Sequence, residues 1–229
     1  MSSGNGVKRK SVSAEEGTTM TKRIVVPENS AHGSRNICRI AIVGTAGRAG
    51  PTPSLKLFNL MKDRVVHIIS KDLSLEISDV HLISGGAAFG DHVSVSLFKS
   101  SEYMFSGITL FLPCEWSTSE GSHYDSGSGN WKTNPGRNAN RYHHAFHRHT
   151  GVESLSEINS LFDENNVEID TSGKGFHDRN SKIAHTADIL IALTWSKSTE
   201  PPKGGTLDTW NKARIRGVKC IHVSLGDLK

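Results

Sequence analysis

The chain has 229 residues, enough for one α/β domain with a real core but short for two. No run approaches about 18 apolar residues, which excludes a membrane helix of ordinary length, and the start lacks the charged-then-apolar pattern of a secretory signal. Three widely spaced cysteines, Cys38, Cys114 and Cys220, exclude a disulfide scaffold or a paired-cysteine zinc knuckle and fit an intracellular protein, while the formal charge of +4 directs attention to polyanions.

The charge is unevenly placed. Residues 1–36 hold Lys8, Arg9, Lys10, Lys22, Arg23 and Arg35 against Glu15, Glu16 and Glu28, so +3 of the +4 lies there. This Ser/Thr/Gly-rich stretch has few large apolar residues to offset its ordering entropy and is expected to be a disordered basic tail. Its VKRK run reads either as a nuclear-localisation or polyanion-binding patch or as a solvated segment.

Residues 37–229 read as a single α/β domain. Cys38–Gly44 (CRIAIVG) has the continuous apolar character of a buried parallel strand. After the turn TAGRAGPTP, the spacing of Leu57, Leu60, Met61, Val65 and Ile68 predicts an amphipathic helix over 54–70. A strand at Val80–Ser84, a helix over 90–103 and a strand at Ile108–Leu112 follow. Residues 114–172 then interrupt the alternation as an insertion, with a long polar loop and helices over 137–149 and 153–162. A helix over 178–187, a strand at Ile189–Leu193, a helix over 206–217 and a strand at Cys220–Ser224 complete the chain. About five strands with flanking helices predict a Rossmann-like, open, mostly parallel sheet.

Such sheets bind ligands beyond the carboxyl ends of their strands. Three Gly-containing turns fall there: Gly44-Thr45-Ala46-Gly47-Arg48, then Ser84-Gly85-Gly86 through Asp91, and Gly204-Gly205-Thr206-Leu207-Asp208-Thr209. Each opens a helix, and a helix N-terminus with free N–H groups favours a phosphate. Ser84 and Thr45 read either as ligand contacts or as helix caps, and Thr206 as a cap that also offers its hydroxyl to a phosphate oxygen. Neither GxGxxG nor GxxxxGK[ST] is present, which sets aside dinucleotide fingerprints and P-loops.

The run Phe176-His177-Asp178-Arg179-Asn180, then Ile183-Ala184, Ala187–Leu193 and Gly204-Gly205-Thr206-Leu207-Asp208 resembles the SLOG superfamily. It is similar to the LONELY GUY phosphoribohydrolases, with an Arg-bearing segment and a GT-x-x-E helix start. The turn Ser84–Asp91 resembles the SGG-x-x-G-x-D turn of YspA/YpsA-like members, with one residue more. The similarity spans residues 38–113 and 173–224. It implies a nucleotide-type ligand, no cofactor, a homodimer by analogy, and cleavage of the N-glycosidic bond of a nucleoside 5′-monophosphate. Arg179 falls at the family's Arg position and Asn180 beside it. The motif's Glu falls on Thr209, with Asp208 the carboxylate one residue earlier. Asp208, Asp91 and Glu115 remain alternatives for the carboxylate that developing charge at C1′ requires.

The segment WSKSTEPPK, between the strand at 189–193 and Gly204, places Trp195 either on a base or against the sheet end, with Lys203 beside the third turn. In the insertion, Arg137, Arg141 and Arg148 accompany His143, His144, His147 and His149. His143 and His147 share a helix face, but no third metal ligand follows from the spacing, so no metal is expected. Arg137, in a second Arg-Asn pair with Asn138, is a further phosphate candidate. Tyr142 and Phe146 among these bases fit either the nucleotide pocket or single-stranded nucleic acid. Three readings follow: a glycosidic hydrolase, a non-catalytic nucleotide sensor, and a nucleic-acid-associated protein akin to the DprA-type members.

Overall fold

The computed structural model describes residue 1, residues 36–48 and residues 50–228. The basic tail expected over 1–36 therefore lies almost wholly outside the described residues. Strand β1 (Cys38–Gly44) leads to α1 (Leu55–His67), whose last turn widens over Ile68–Asp72, and then to β2 (Val80–Ser84), α2 (His92–Phe98) and β3 (Gly107–Phe111). A hairpin, β4 (Trp116–Ser117) and β5 (Ser122–His123), precedes α3 (Pro135–Thr150), α4 (Ser154–Ser160) and β6 (Val167–Asp170). Helix α5 (Phe176–Thr186), β7 (Ile189–Thr194), α6 (Gly205–Ile215) and β8 (Lys219–Ser224) follow.

Six strands form one sheet in the order β6-β3-β2-β1-β7-β8, and every pairing is parallel. The sixth strand is β6, inside the stretch read as an insertion. Its four residues, VEID, alternate apolar and polar, as suits an edge strand half-buried on one face, and that is too short a pattern to stand out from its polar surroundings. Register fixes it: Ile108 opposes Val167 and Phe111 opposes Asp170. The hairpin β4–β5 likewise falls where a plain polar loop is expected. Helix α2 is shorter than the predicted span because its chain turns after Phe98, where the Ser100 hydroxyl takes the Glu102 N–H at 3.3 Å.

Alternation along β1 sorts the helices onto the two faces. Ile40 and Ile42 pack with Phe58, Met61 and Val65 of α1 and with Phe146 and Ile158 of α3 and α4. Ala41 and Val43 face Ile183 and Ala184 of α5 and Trp210 and Ala213 of α6. Phe58, Phe89 and Phe146 are fully buried and meet one another at centroid distances of 5.1–6.5 Å. Truncating any one of them to Ala costs about 3–5 kcal/mol. Capping follows the local sequence: Ser54 accepts the Leu57 N–H at the start of α1, and α3 runs from Asn134, which accepts the Arg137 N–H, to a left-handed Gly151.

The strand order places the site. From β1 the chain builds outward through β2, β3 and β6, and then returns on the other side of β1 with β7 and β8. The crevice beyond the carboxyl ends of β1 and β7 is the topological switch point, where parallel sheets open a binding cleft. Among the described residues, no helix is long and apolar enough to cross a membrane.

Candidate functional site

A cavity of about 900 Å³ lies at that switch point, walled by the turns after β1 and β2, the starts of α5 and α6, and one face of α3. The β1 and β2 turns are locked together by backbone. A Cβ on Gly44 would lie 2.8 Å from the Gly90 Cα and 2.8 Å from the Leu193 carbonyl, so this close approach admits only glycine. Across it, the Gly90 N–H donates to the Thr45 carbonyl at 3.0 Å and the Gly44 N–H donates to Asp91 Oδ1 at 2.8 Å. Ser84 is buried and works inside the turn, donating to the Asp91 carbonyl and accepting the Gly86 N–H. Phe89 takes a left-handed φ of 64°, a strained choice for a non-glycine residue, while its ring is held in the Phe58–Phe146 cluster.

Asp91 and Arg179 form the charged centre. Their side chains are 3% and 11% exposed, and Arg179 Nη1 lies 4.0 Å from Asp91 Oδ2. Arg179 donates to the Gly85 carbonyl at 3.2 Å and to the Asn180 amide oxygen at 3.0 Å, and its guanidinium stands over the Phe176 ring. Burial pushes the Asp91 carboxyl above its ordinary range, against the pull of Arg179 and of the Gly44, Ala87 and Gly85 N–H groups. Asp91 Oδ2 nevertheless has no hydrogen-bond partner. Burial also lowers Arg179, partly offset by Asp91 and reinforced by Arg48.

The opposite wall is the start of α6. Gly204, with φ of 153°, precedes a helix that no side chain caps, and Gly204, Gly205, Thr206 and Thr209 line the cavity. The Thr206 hydroxyl donates to the Gly44 carbonyl at 3.0 Å, so it ties α6 to β1. The Thr209 hydroxyl donates back to the Gly205 carbonyl at 3.2 Å. Among the described residues, three cations line the cavity, Arg48, Arg179 and Lys203, against the single carboxylate of Asp91. Arg48 lies over the Tyr142 ring.

Of the residues singled out from sequence, Gly44, Thr45, Arg48, Gly85, Gly86, Asp91, Arg179, Asn180, Gly204, Gly205, Thr206 and Thr209 come together on this cavity. Gly47, Ser84, Arg137 and Asp208 do not line it. Arg137 pairs with Asp125 at 3.1 Å on the surface. Asp208 accepts from Lys212 at 2.8 Å and from the Asn180 amide at 3.0 Å, with His177 at 3.3 Å. Burial raises the Asp208 carboxyl, but those three bonds outweigh it and hold it below the usual range. Asp208 thus reaches the site only indirectly, through His177 and through Asn180, which holds Arg179.

The histidines of α3 divide. His143 is buried, donates Nε2–H to the Gly86 carbonyl at 3.0 Å and accepts from the Ser154 hydroxyl at 2.9 Å. Both ring nitrogens are spent on holding α3 and α4 to the Gly86 turn, while His147 faces Glu153 from the surface. The pair cannot offer two nitrogens to one metal, and among the described residues no cluster of three His, Cys, Asp or Glu is arranged for one. Sequence spacing gave no sign of His123 or Trp131, which also line the cavity. Both lie in the polar stretch before α3, and only the β4–β5 hairpin brings His123 to the cleft.

The architecture is that of an open, all-parallel α/β protein with a cationic cleft at its switch point. No family model matches the chain. Over 190 residues, 82% of this chain and 97% of the relative, it is 34% identical to an uncharacterized protein of Acanthamoeba polyphaga mimivirus, and it belongs to that protein's family.

Proposed function

We propose that the cavity binds a phosphorylated nucleoside-type ligand, a nucleotide or an ADP-ribose-like molecule, as the SLOG-like motifs imply. The observation that carries this reading is the cationic lining beside an uncapped helix: Arg48, Arg179 and Lys203 share the cleft with the open start of α6. An anion there meets free N–H groups, the positive end of a helix and an excess of positive charge. The aromatic rings of Trp195, Tyr142 and Phe176 in the same lining suit a flat base. A second hollow of about 350 Å³ shares Trp131, Phe176 and His177 with the cleft, which favours a ligand longer than a monophosphate.

A second reading, hydrolysis of the ligand's N-glycosidic bond, is favoured by Asp91. It is the carboxyl that, among the described residues, lines the cleft, and its Oδ2 has Arg179 at 4.0 Å but no hydrogen-bond partner. Water oxygen would join C1′ as the C1′–N bond breaks, with the base leaving protonated, and Asp91 would stabilise the charge that builds at C1′.

A thermal-shift panel of nucleoside monophosphates, NAD and ADP-ribose tests binding. A ligand at 100 times its Kd adds about 2.7 kcal/mol of stability. Unchanged melting across the panel would overturn the reading. Chromatography of the same mixtures tests hydrolysis: free base that disappears in Asp91→Asn supports it, and no free base leaves the protein a binder.

A further inference from the structure

We infer that His123 is a ligand-contacting residue of this cleft and that it reads a sugar hydroxyl. The inference rests on the nucleotide reading above and adds a recognition role for the β4–β5 hairpin.

His123 is 1% exposed, lines the cavity, and has no hydrogen-bond partner for its Nε2. Such an orphan is uncommon, because buried polar atoms are normally satisfied. The ring is firmly placed. Its backbone N–H donates to the Asn140 amide oxygen at 3.1 Å, and the Asn140 amide donates back to its carbonyl at 2.8 Å. Trp116 packs edge-on against it at 4.9 Å, and Trp116 is itself fixed by donating its indole N–H to Asn159 at 2.9 Å. Nδ1 faces the Cys114 sulfur at 3.9 Å. The fold thus anchors every other part of this residue and leaves one nitrogen without a partner.

A second orphan lies in the same lining. Asp91 Oδ2 is unpartnered as well, and both residues feel the Arg179 guanidinium. The chemistry of the missing partner follows. Both atoms are shielded from solvent, so the group that reaches them must be small enough to enter the wall. The Asp91 carboxyl in the same lining does not favour a phosphate oxygen on this wall. Burial, with Arg179 behind it, holds the His123 imidazole down to about 3, so the ring is neutral and is no cation for an anion. A hydroxyl satisfies these conditions: it donates to Oδ2, and it either donates to or accepts from Nε2 in whichever tautomer the ring adopts. A ribose hydroxyl is such a group for His123 Nε2, while the phosphate lies at α6.

The test compares the four ribonucleoside monophosphates with their 2′-deoxy counterparts, and AMP with 3′-deoxy-AMP, by calorimetry on the full chain. Wild-type protein should bind the ribose forms at least about tenfold more tightly than a deoxy form. His123→Asn, which withdraws the ring nitrogen, should bind both at the deoxy level, and His123→Gln should recover part of the difference. Equal binding of ribose and deoxy forms by wild type overturns this inference alone, as does full discrimination by a folded His123→Asn. No binding by wild type of these nucleotides, of NAD or of ADP-ribose overturns this inference and the nucleotide reading together. Should His123→Asn fail to fold, ring-nitrogen NMR on wild type decides: the His123 signals should move with a ribose form and stay with its deoxy form, and signals that stay in both overturn the assignment.

Discussion

Arg179 occupies the space that a side chain on Gly85 would need. Its guanidinium donates to the Gly85 carbonyl at 3.2 Å, while a Cβ at Gly85 would lie 2.9 Å from the Arg179 Cζ and 2.7 Å from Asp91 Oδ2. The second glycine turn is therefore the floor on which the charged pair rests.

Gly85→Ala should force that pair aside. Overpacking of this kind costs about 1–3 kcal/mol, and nucleotide affinity should fall with it. Gly205→Ala is the control, since a Cβ there meets only the Asn180 amide at 3.8 Å and helix propensity favours alanine. Urea denaturation should show a loss for the first variant and an unchanged or higher midpoint for the second. A Gly85→Ala protein as stable as wild type would contradict the close approach.

Arg179→Met should leave a buried carboxylate without its counter-ion, at a cost of about 3–5 kcal/mol. Asp91→Asn keeps an acceptor for the Gly44 N–H and should cost less, about 1–2 kcal/mol. Because the two side chains face each other, the double variant should be about 1–3 kcal/mol more stable than the two single losses predict. Strict additivity in denaturation midpoints would show that they do not interact.

Acid should weaken the fold through its buried imidazoles. His123 is held down to about 3 and His143 well below its ordinary value, in both cases first by burial. In the unfolded chain the same groups take up protons near pH 6.5. Their contribution is therefore intact above about 6.5 and is lost as pH falls toward the folded values, at about 1.4 kcal/mol per unit for each group. Denaturation between about pH 7 and pH 5 should show this slope, and His123→Asn should reduce it by one proton's worth. A slope identical to wild type would mean that His123 is not held neutral.

The core strands and the helices that follow them were legible because their signals are local. The run CRIAIVG needs no partner to be read as a buried strand, nor does the helical spacing from Leu57 to Ile68. Strand β6 was not, since VEID becomes a strand only by pairing with β3. The same divide runs through the site. Glycine turns and the Arg179 segment carry their own patterns, and most of their residues line the cleft.

Sequence alone determined the parallel α/β class, the glycine turns at its strand ends and the arginine beside them, because periodicity, turn chemistry and charge are properties of neighbouring residues. Tertiary structure decided which carboxylate faces the cleft. Asp208 stands in the motif but is taken up by Lys212, Asn180 and His177, whereas Asp91 comes over from another strand end to meet Arg179. It also decided that His123, in a stretch without pattern, belongs to the site. Burial and partner choice are set by segments far apart in the chain, and no local spacing encodes them.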